Sequence, residues 1–165
     1  MNCIEIETPL GAMLVAERKE SLVGLWFLDQ RHFPGQAPAW SRRRSSLLAE
    51  AEAQVGDYLA GRRGTFDLPL GPPGTAFQQA AWQCLLEIPF GECRSYGEIA
   101  ARLDKPGAAR AVGGAIGRNP LTLIVPCHRV VGRNGALTGF AGGTDRKRWL
   151  LAMERGATLD AGARG

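Results

Sequence analysis

Ile4 and Ile6 alternate with Glu5 and Glu7, the two-residue period of a strand with one buried face. Pro9-Leu10-Gly11 reads as a turn, and Met13 to Ala16 runs back as a second strand. Leu22 to Leu28 is apolar on both sides, which predicts a third strand in the centre of its sheet. Residues 33–39, rich in Pro, Gly and Gln, read as a loop. From Ser45 the period changes. Leu47, Leu48, Ala51, Val55, Tyr58 and Leu59 fall on one stripe of a helix that Gly61 ends.

Pro69-Leu70-Gly71-Pro72-Pro73-Gly74 reads as a linker, since its prolines leave no room for regular structure. It separates an α/β module, residues 1–70, from a second domain, residues 75–156, with a tail over 157–165. Thr75 and Gln78 form a capping box ahead of a helix with Phe77, Ala80, Ala81, Cys84, Leu85 and Ile88 at helical spacing. Pro89-Phe90-Gly91 ends it. Ser95 and Glu98 form a second box, opening a short helix with Ile99 and Leu103 inside. Asp104-Lys105-Pro106-Gly107 then turns the chain into a third helix, Ala108 to Ile116, and two short helices joined this tightly make a helix-turn-helix signature. The third helix is built almost wholly from small residues. A Gly113-Gly114 pair inside it lowers helix stability by roughly 1 kcal/mol per glycine relative to alanine. Two reasons fit: close internal packing, or a narrow partner such as the minor groove approaching a bare helix.

Farther on, Leu121 to Val125 predicts a buried strand, Val130-Val131 an extended pair, and Arg133-Asn134-Gly135 a hairpin turn. Phe140-Ala141-Gly142-Gly143 is a loop of little bulk. The last helix runs from Asp145 to Glu154 with Trp149, Leu150 and Met153 as its apolar face, and the chain frays from Gly156.

With 165 residues, 45% hydrophobic and 22% charged, the chain has the balance of a soluble protein of one ordinary domain or two small ones. It lacks an apolar run of membrane-spanning length and a signal-peptide pattern, so the expected location is cytoplasmic. Four cysteines without paired spacing argue against a disulfide framework, and two histidines without a CxxC argue against zinc; no metal is expected. His32 reads as a surface loop residue. The net charge of +4 leans towards an anionic partner. Arg42 to Arg44 and Arg62-Arg63 are short solvated clusters, whereas Lys105, Arg110, Arg118, Arg129 and Arg133 surround one cysteine segment.

That segment is Pro126-Cys127-His128-Arg129. Proline stops the apolar run before it, because it gives no N–H to a ladder, so a turn facing a cleft should follow. A free thiol has a pKa of about 8.5 and only a few per cent thiolate at neutral pH. An adjacent base is what would make it a nucleophile. Cys3, Cys84 and Cys93 read as packing residues, as most cysteines are. Neighbours in an extended chain point to opposite faces, so either the turn brings Cys127 and His128 together or a water relays the proton.

Taken in order, Ser95-Tyr96-Gly97-Glu98-Ile99-Ala100, Ala109-Arg110-Ala111-Val112-Gly113, Asn119-Pro120, Pro126-Cys127-His128-Arg129-Val130 and Gly139-Phe140-Ala141-Gly142-Gly143 resemble the methylated-DNA–protein-cysteine methyltransferases. The resemblance covers residues 75 to 156 closely and the N-terminal module less specifically. It implies a ribonuclease-H-like α/β N-terminal module and a mainly α C-terminal domain with a winged helix-turn-helix. The implied activity is stoichiometric, irreversible transfer of the alkyl group of O6-methylguanine in double-stranded DNA to Cys127 after base flipping, with O4-methylthymine a further candidate substrate. It implies a monomer, with cooperative binding on DNA left open, and no cofactor.

By the same resemblance His128 takes the thiol proton through a water, Glu154 orients the imidazole, and Asn119 braces the turn beneath the cysteine. Arg110 is the finger that fills the space of the extruded base. Tyr96 disfavours the stacked nucleotide and donates to the flipped ring. Gly113 lies on the DNA-facing helix, with Lys105 and Arg133 as phosphate contacts. Ile116, Val130, Phe140 and Ala141 line the pocket; the backbone of Cys127 and Val130 accepts from the guanine amine, and the Ala141 N–H approaches O6. Three positions depart from the family pattern: Phe140 where tyrosine is frequent, Asp104 where glycine is common, and Ala141 in place of serine. A non-enzymatic lesion-binding module, which would lack the acceptor cysteine, and a redox-sensing DNA-binding regulator are the competing readings.

Overall fold

Three strands at the N-terminus form as their periodicity indicates: β1 (Asn2–Ile6), β2 (Met13–Arg18) and β3 (Ser21–Phe27), joined antiparallel with Ile4 opposite Val15 and Val15 opposite Leu25. The computed structural model describes residues 1–35 and 39–164, with side chains through Gly156. Of the loop read over 33–39, residues 33–35 are irregular and 36–38 lie outside the described residues. A short strand β4 (Ser41–Arg42), which the sequence does not announce, pairs parallel with β1, giving the order β3-β2-β1-β4. The third strand is therefore at the end of the ladder, not in its centre. Its two-sided apolarity has another cause: its outer edge is covered. Leu22 bridges to Leu70 and Leu25 to Leu121, with Leu25 N donating to Pro120 O (2.7 Å) and Thr122 N to Leu25 O (3.0 Å). An edge so covered is buried like a central strand and offers no free ladder.

One face of this sheet holds Cys3, Leu14, Ala16, Val23 and Trp26, closed by Met1, Phe33 and Trp40. Helix α1 (Ser46–Leu59) packs on β1 and β2 and buries Leu48, Ala51, Val55, Tyr58 and Leu59. Full burial of a large apolar side chain contributes roughly 1.5–3 kcal/mol. Ser45 caps α1 by accepting from Leu48 N (3.1 Å), and Gly61, at φ 77°, takes the left-handed position past its end.

The chain divides into two units, Met1–Pro73 with Pro120–Ile124, and Gly74–Asn119 with everything from Val125 onward. The strand expected over 121–125 does not form. Leu121 makes one bridge, and Leu123 stands at φ 78°, a conformation a leucine rarely adopts, so the segment turns within four residues. An apolar run of five residues specifies burial without specifying an extended chain.

In the second unit both capping boxes form: Gln78 N donates to Thr75 Oγ1 (3.1 Å) and Thr75 N to Gln78 Oε1 (3.0 Å), while Glu98 N donates to Ser95 Oγ (3.1 Å) and Ser95 N to Glu98 Oε1 (3.3 Å). They open α2 (Ala76–Leu86) and α3 (Tyr96–Arg102). The buried face of α2 is Ala81, Trp82 and Leu85; Ala80 is exposed, and Trp82 reaches across to donate to Ala115 O of α4 (Ala109–Gly117) at 2.8 Å. The α3–α4 turn uses Asp104 at φ 57° and Gly107 at φ 92°. Aspartate tolerates that region better than most residues.

Strands β5 (Arg94–Ser95) and β6 (Val130–Val131) pair parallel. The expected hairpin at 133–135 closes as a 3-10 turn with Asn134 at φ 61°, and Gly132 N donates to Ala136 O (2.7 Å), but residues 136–140 form no returning strand. Helix α5 (Thr144–Arg164) continues past Gly156, where the sequence predicts fraying; a single glycine weakens a helix without ending it. Its buried stripe is Lys147, Leu150, Leu151 and Glu154, and Trp149 is 37% exposed.

Candidate active site

Pro126 makes the turn that the sequence predicts for it, in a specific form. At φ −79° and ψ 67° it is the centre of an inverse γ-turn, with Cys127 N donating to Val125 O at 2.7 Å. Asn119 fixes the base of this turn: its side-chain amide donates to the same Val125 carbonyl at 2.8 Å. The chain leaves the second unit after Asn119 and returns at Val125, so that bond closes the excursion where it re-enters, two residues before the thiol.

Cys127, His128 and Arg129 then form one 3-10 turn rather than an extended run, and all three are buried. Successive side chains in such a turn diverge by about 120°. His128 and Arg129 both reach Glu154 on α5. His128 Nε2 lies 2.7 Å from Glu154 Oε2, Arg129 Nε donates to Oε1 (2.9 Å) and Oε2 (3.1 Å), Arg129 Nη2 donates to Oε2 (3.0 Å), and Gly91 N donates to Oε1 (3.1 Å). Arg129 is itself held by Ile88 O (2.7 Å) and lies 5.7 Å from the centre of the Phe90 ring.

The charges in this cluster follow from its contacts. Burial pushes the Glu154 carboxyl upward, but the hydrogen bonds and charges of His128 and Arg129 outweigh it and hold the pKa at about 2. Burial lowers the His128 pKa, against the pull of Glu154. Glu154 is thus ionised through His128 and Arg129 together, and burial favours the neutral form of His128 in the resting site. A carboxylate at Nε2 fixes the tautomer: Nε2 carries the proton and donates, which leaves the lone pair on Nδ1, the nitrogen available to a general base. Phe140 packs edge-on to the imidazole, with centroids 6.4 Å apart.

Cys127 is only 5% exposed, so the cleft expected from the sequence is closed over it. Burial raises its pKa, while the Asn119 amide, the Lys147 charge and the backbone N–H groups of Cys127 and His128 lower it. The resting group is a neutral thiol surrounded by groups that favour the thiolate. Tyr96, half-buried at the start of α3, donates its hydroxyl to Thr138 O (2.9 Å). A Cβ on Gly139 (φ 75°) would meet that hydroxyl at 2.5 Å, so glycine is required where this loop crosses the ring.

Val130 and Ile116 are buried, Phe140 and Ala141 half-buried, and Arg110, Lys105 and Arg133 exposed. The structure therefore draws Cys127, His128, Glu154 and Asn119 into one buried group, and leaves the three cations on the surface. A Cβ on Gly113 would meet the Tyr96 ring at an ordinary 3.8 Å, and one on Gly114 would meet nothing. Internal packing does not require either glycine. Two residues of the cluster escape the sequence reading. Arg129 adjoins the histidine, but nothing local separates it from the other cations nearby. Lys147 has the signal in its spacing: Lys147, Leu150, Leu151 and Glu154 occupy i, i+3, i+4 and i+7, a buried stripe with a charge at each end. Among the described residues no group of three His, Cys, Asp or Glu side chains could hold a metal.

Comparisons with known proteins agree on one family. Residues 76–156 match the 6-O-methylguanine DNA methyltransferase DNA-binding domain, and residues 1–72 match its ribonuclease-like domain. The constitutive methylated-DNA–protein-cysteine methyltransferase of Bacillus subtilis is 48% identical over 153 residues, 90% of this chain and 92% of that protein. The corresponding protein of Mycolicibacterium paratuberculosis is 45% identical over 150 residues, 91% and 90% of the two chains. Among solved structures, the Mycobacterium tuberculosis protein in complex with DNA superposes with a TM-score of 0.88 at 43% identity, covering 95% of this chain and 94% of that one.

Proposed function

This chain belongs to the 6-O-methylguanine DNA methyltransferase family, and we propose that it repairs DNA by moving the alkyl group of O6-methylguanine irreversibly onto the sulfur of Cys127. The observation that carries this reading is the 3-10 turn that places a nearly buried thiol directly before a neutral histidine oriented by an ionised carboxylate. That arrangement suits one nucleophile activated by one general base.

Each step assigns a task to these residues. The target base leaves the stack, because a protein thiolate cannot reach its alkyl carbon inside the duplex. Arg110, exposed at the start of α4, fills the vacated space, and the small surface of α4 at Gly113 and Gly114 lets the backbone approach the minor groove. Lys105 and Arg133 meet phosphates. The thiol proton passes to His128 Nδ1 through a water, since side chains in the turn diverge, and Glu154 stabilises the imidazolium. The thiolate attacks the alkyl carbon, the carbon–oxygen bond breaks, and guanine receives a proton from Tyr96, which the imidazolium's proton replaces. The thiol's proton is thereby accounted for, and the sulfur ends as a thioether. No leaving group better than thiolate remains, so one molecule repairs one lesion.

Val130, Phe140, Ala141 and Ile116 wall the pocket, and O4-methylthymine offers the same alkyl–oxygen chemistry. The helix pair α3–α4 with the loop after β6 serves as a winged helix-turn-helix, and the four-stranded sheet with α1 as a ribonuclease-H-like support. Among the described residues no helix is long and apolar enough to cross a membrane. We place the protein in the cytoplasm as a monomer on double-stranded DNA; the DNA part of this reading is supported by a relative solved in complex with DNA.

Intact-mass measurement after incubation with O6-methylguanine duplex tests the reading. Expected is a gain of one methyl, located at Cys127 by peptide mapping and lost in Cys127→Ala while DNA binding persists. An unchanged mass in the reduced, folded protein would leave a lesion-binding module instead. Peroxide-dependent oxygen addition at Cys127 without methylation would favour the redox regulator.

A further inference from the structure

Lys147 is a buried ammonium that the relay does not use. It is 1% exposed on the inner stripe of α5. Its Nζ donates to Val130 O at 2.5 Å and to Thr138 O at 2.8 Å, both uncharged carbonyls, and it pairs with no carboxylate among the described residues. Taking such a charge out of water costs several kcal/mol unless something compensates it. Carbonyls compensate in part. The charge itself has no resident partner while Cys127 is a thiol.

We propose that Lys147 is the standing counter-charge of the Cys127 thiolate and the strap that holds the pocket wall. Removing the proton from Cys127 creates two charges. The imidazolium on His128 meets Glu154, already 2.7 Å away, and the thiolate is attracted by the Lys147 ammonium, which is anchored on the carbonyl three residues after the sulfur. Both partners are in place before the proton moves, so no reorganisation is needed when it does. The same ammonium joins the carbonyl of Val130, three residues after the sulfur, to that of Thr138, which also accepts from Tyr96. One side chain thereby fixes both the exit of the nucleophile turn and the loop against the tyrosine. This role rests on Cys127 being the acceptor.

Near the ammonium are Cys127, His128 and Arg129 of the turn, Cys93 ahead of β5 and Tyr96 behind the shared carbonyl, and its own helix also carries Asp145, Arg146, Arg148 and Glu154. The test is the pH dependence of Cys127 carboxamidomethylation by iodoacetamide, followed by peptide mass, beside single-turnover methyl transfer and a thermal melt. Lys147→Gln keeps a donor for the carbonyls and removes the charge. Its Cys127 midpoint should rise by about one pH unit or more, with transfer at neutral pH at least about tenfold slower, since a facing charge moves a pKa by one to three units. Lys147→Arg should stay within about threefold of the parent. Parental titration in Lys147→Gln, or slowing only in step with lost folded protein, refutes the proposal. Should Lys147→Gln not fold, the reciprocal measurement decides. By nitrogen NMR, the Lys147 ammonium should lose its proton at lower pH in Cys127→Ser than in the parent, and equal titrations would refute the coupling. If the parent gains no methyl from DNA, the acceptor reading fails while the iodoacetamide titration still reports the coupling, so the two failures are distinguishable.

Discussion

Replacing Glu154 by glutamine removes one charge with almost no change of shape, and the surroundings set the consequence. The carboxylate receives His128, three contacts from Arg129 and the Gly91 N–H, all between 2.7 and 3.1 Å. Arg129 is 6% exposed and would keep only the Ile88 carbonyl and the Phe90 ring. Breaking a buried ion pair by removing one partner costs about 3–5 kcal/mol, chiefly because the other charge is left uncompensated. Against a total stability of about 5–15 kcal/mol this is a large fraction. At roughly 4–8 °C per kcal/mol for a unit of this size, Glu154→Gln should melt at least about 10 °C below the parent. Thermal and urea unfolding followed by far-ultraviolet circular dichroism would measure it. Arg129→Met should be comparably damaging, and the double variant less so than the sum, with a coupling energy above about 1 kcal/mol. Additivity within about 0.5 kcal/mol, or a loss below about 1 kcal/mol for Glu154→Gln alone, would show that the three side chains do not form one electrostatic unit.

Three further outcomes rest on the same geometry. Arg110→Ala should slow repair of duplex DNA more than transfer from the free base in a single-turnover comparison, since it acts on extrusion; equal losses would contradict that role. Gly114→Ala, whose Cβ would meet nothing, should raise stability by up to about 1 kcal/mol through helix propensity while weakening duplex binding in a fluorescence-anisotropy titration. Unchanged affinity would remove the external reason for the glycine. On the acid side, Glu154 is held at about 2 against an ordinary 4.5, so its contribution of about 3 kcal/mol is present above the higher value and is lost as pH falls through that interval. The lowered His128 pKa adds a loss beginning below 6.5, because the unfolded chain takes that proton first. Unfolding midpoints between pH 7 and 3 should show both, and Glu154→Gln should flatten the lower limb.

Much of this is legible in the sequence where local rules and burial agree. The capping boxes at Thr75 and Ser95 set two helix starts because the reciprocal bonds need only residues three apart. The aspartate at 104 sits in the left-handed turn expected of it. What cannot be read is anything in which burial and polarity part company. The inner face of α5 carries Lys147 and Glu154, so of the apolar face expected at Trp149, Leu150 and Met153 only Leu150 is on the buried stripe. Arg129 looks like one more surface cation because its partner lies 25 residues away. Leu22 to Leu28 and Leu121 to Val125 read as buried, but an apolar run does not say what covers it. The first is an edge strand whose outer side is covered by Leu70 at Leu22 and by Leu121 at Leu25.

A protein that reacts once must keep its thiol from reacting with the wrong partner. A permanently ionised thiolate would be alkylated by any small electrophile and the molecule lost without a repair. Here burial holds Cys127 as a thiol and His128 as a neutral base, while Tyr96 commits its proton to Thr138. Every group needed for reaction is present, yet each is in the protonation or bonding state that precedes it. The Thr138 carbonyl that holds Tyr96 also accepts from Lys147 at 2.8 Å, so it keeps a partner if the tyrosine hydroxyl leaves it. On the proposed function, burial of Cys127 is the barrier against wasted reaction.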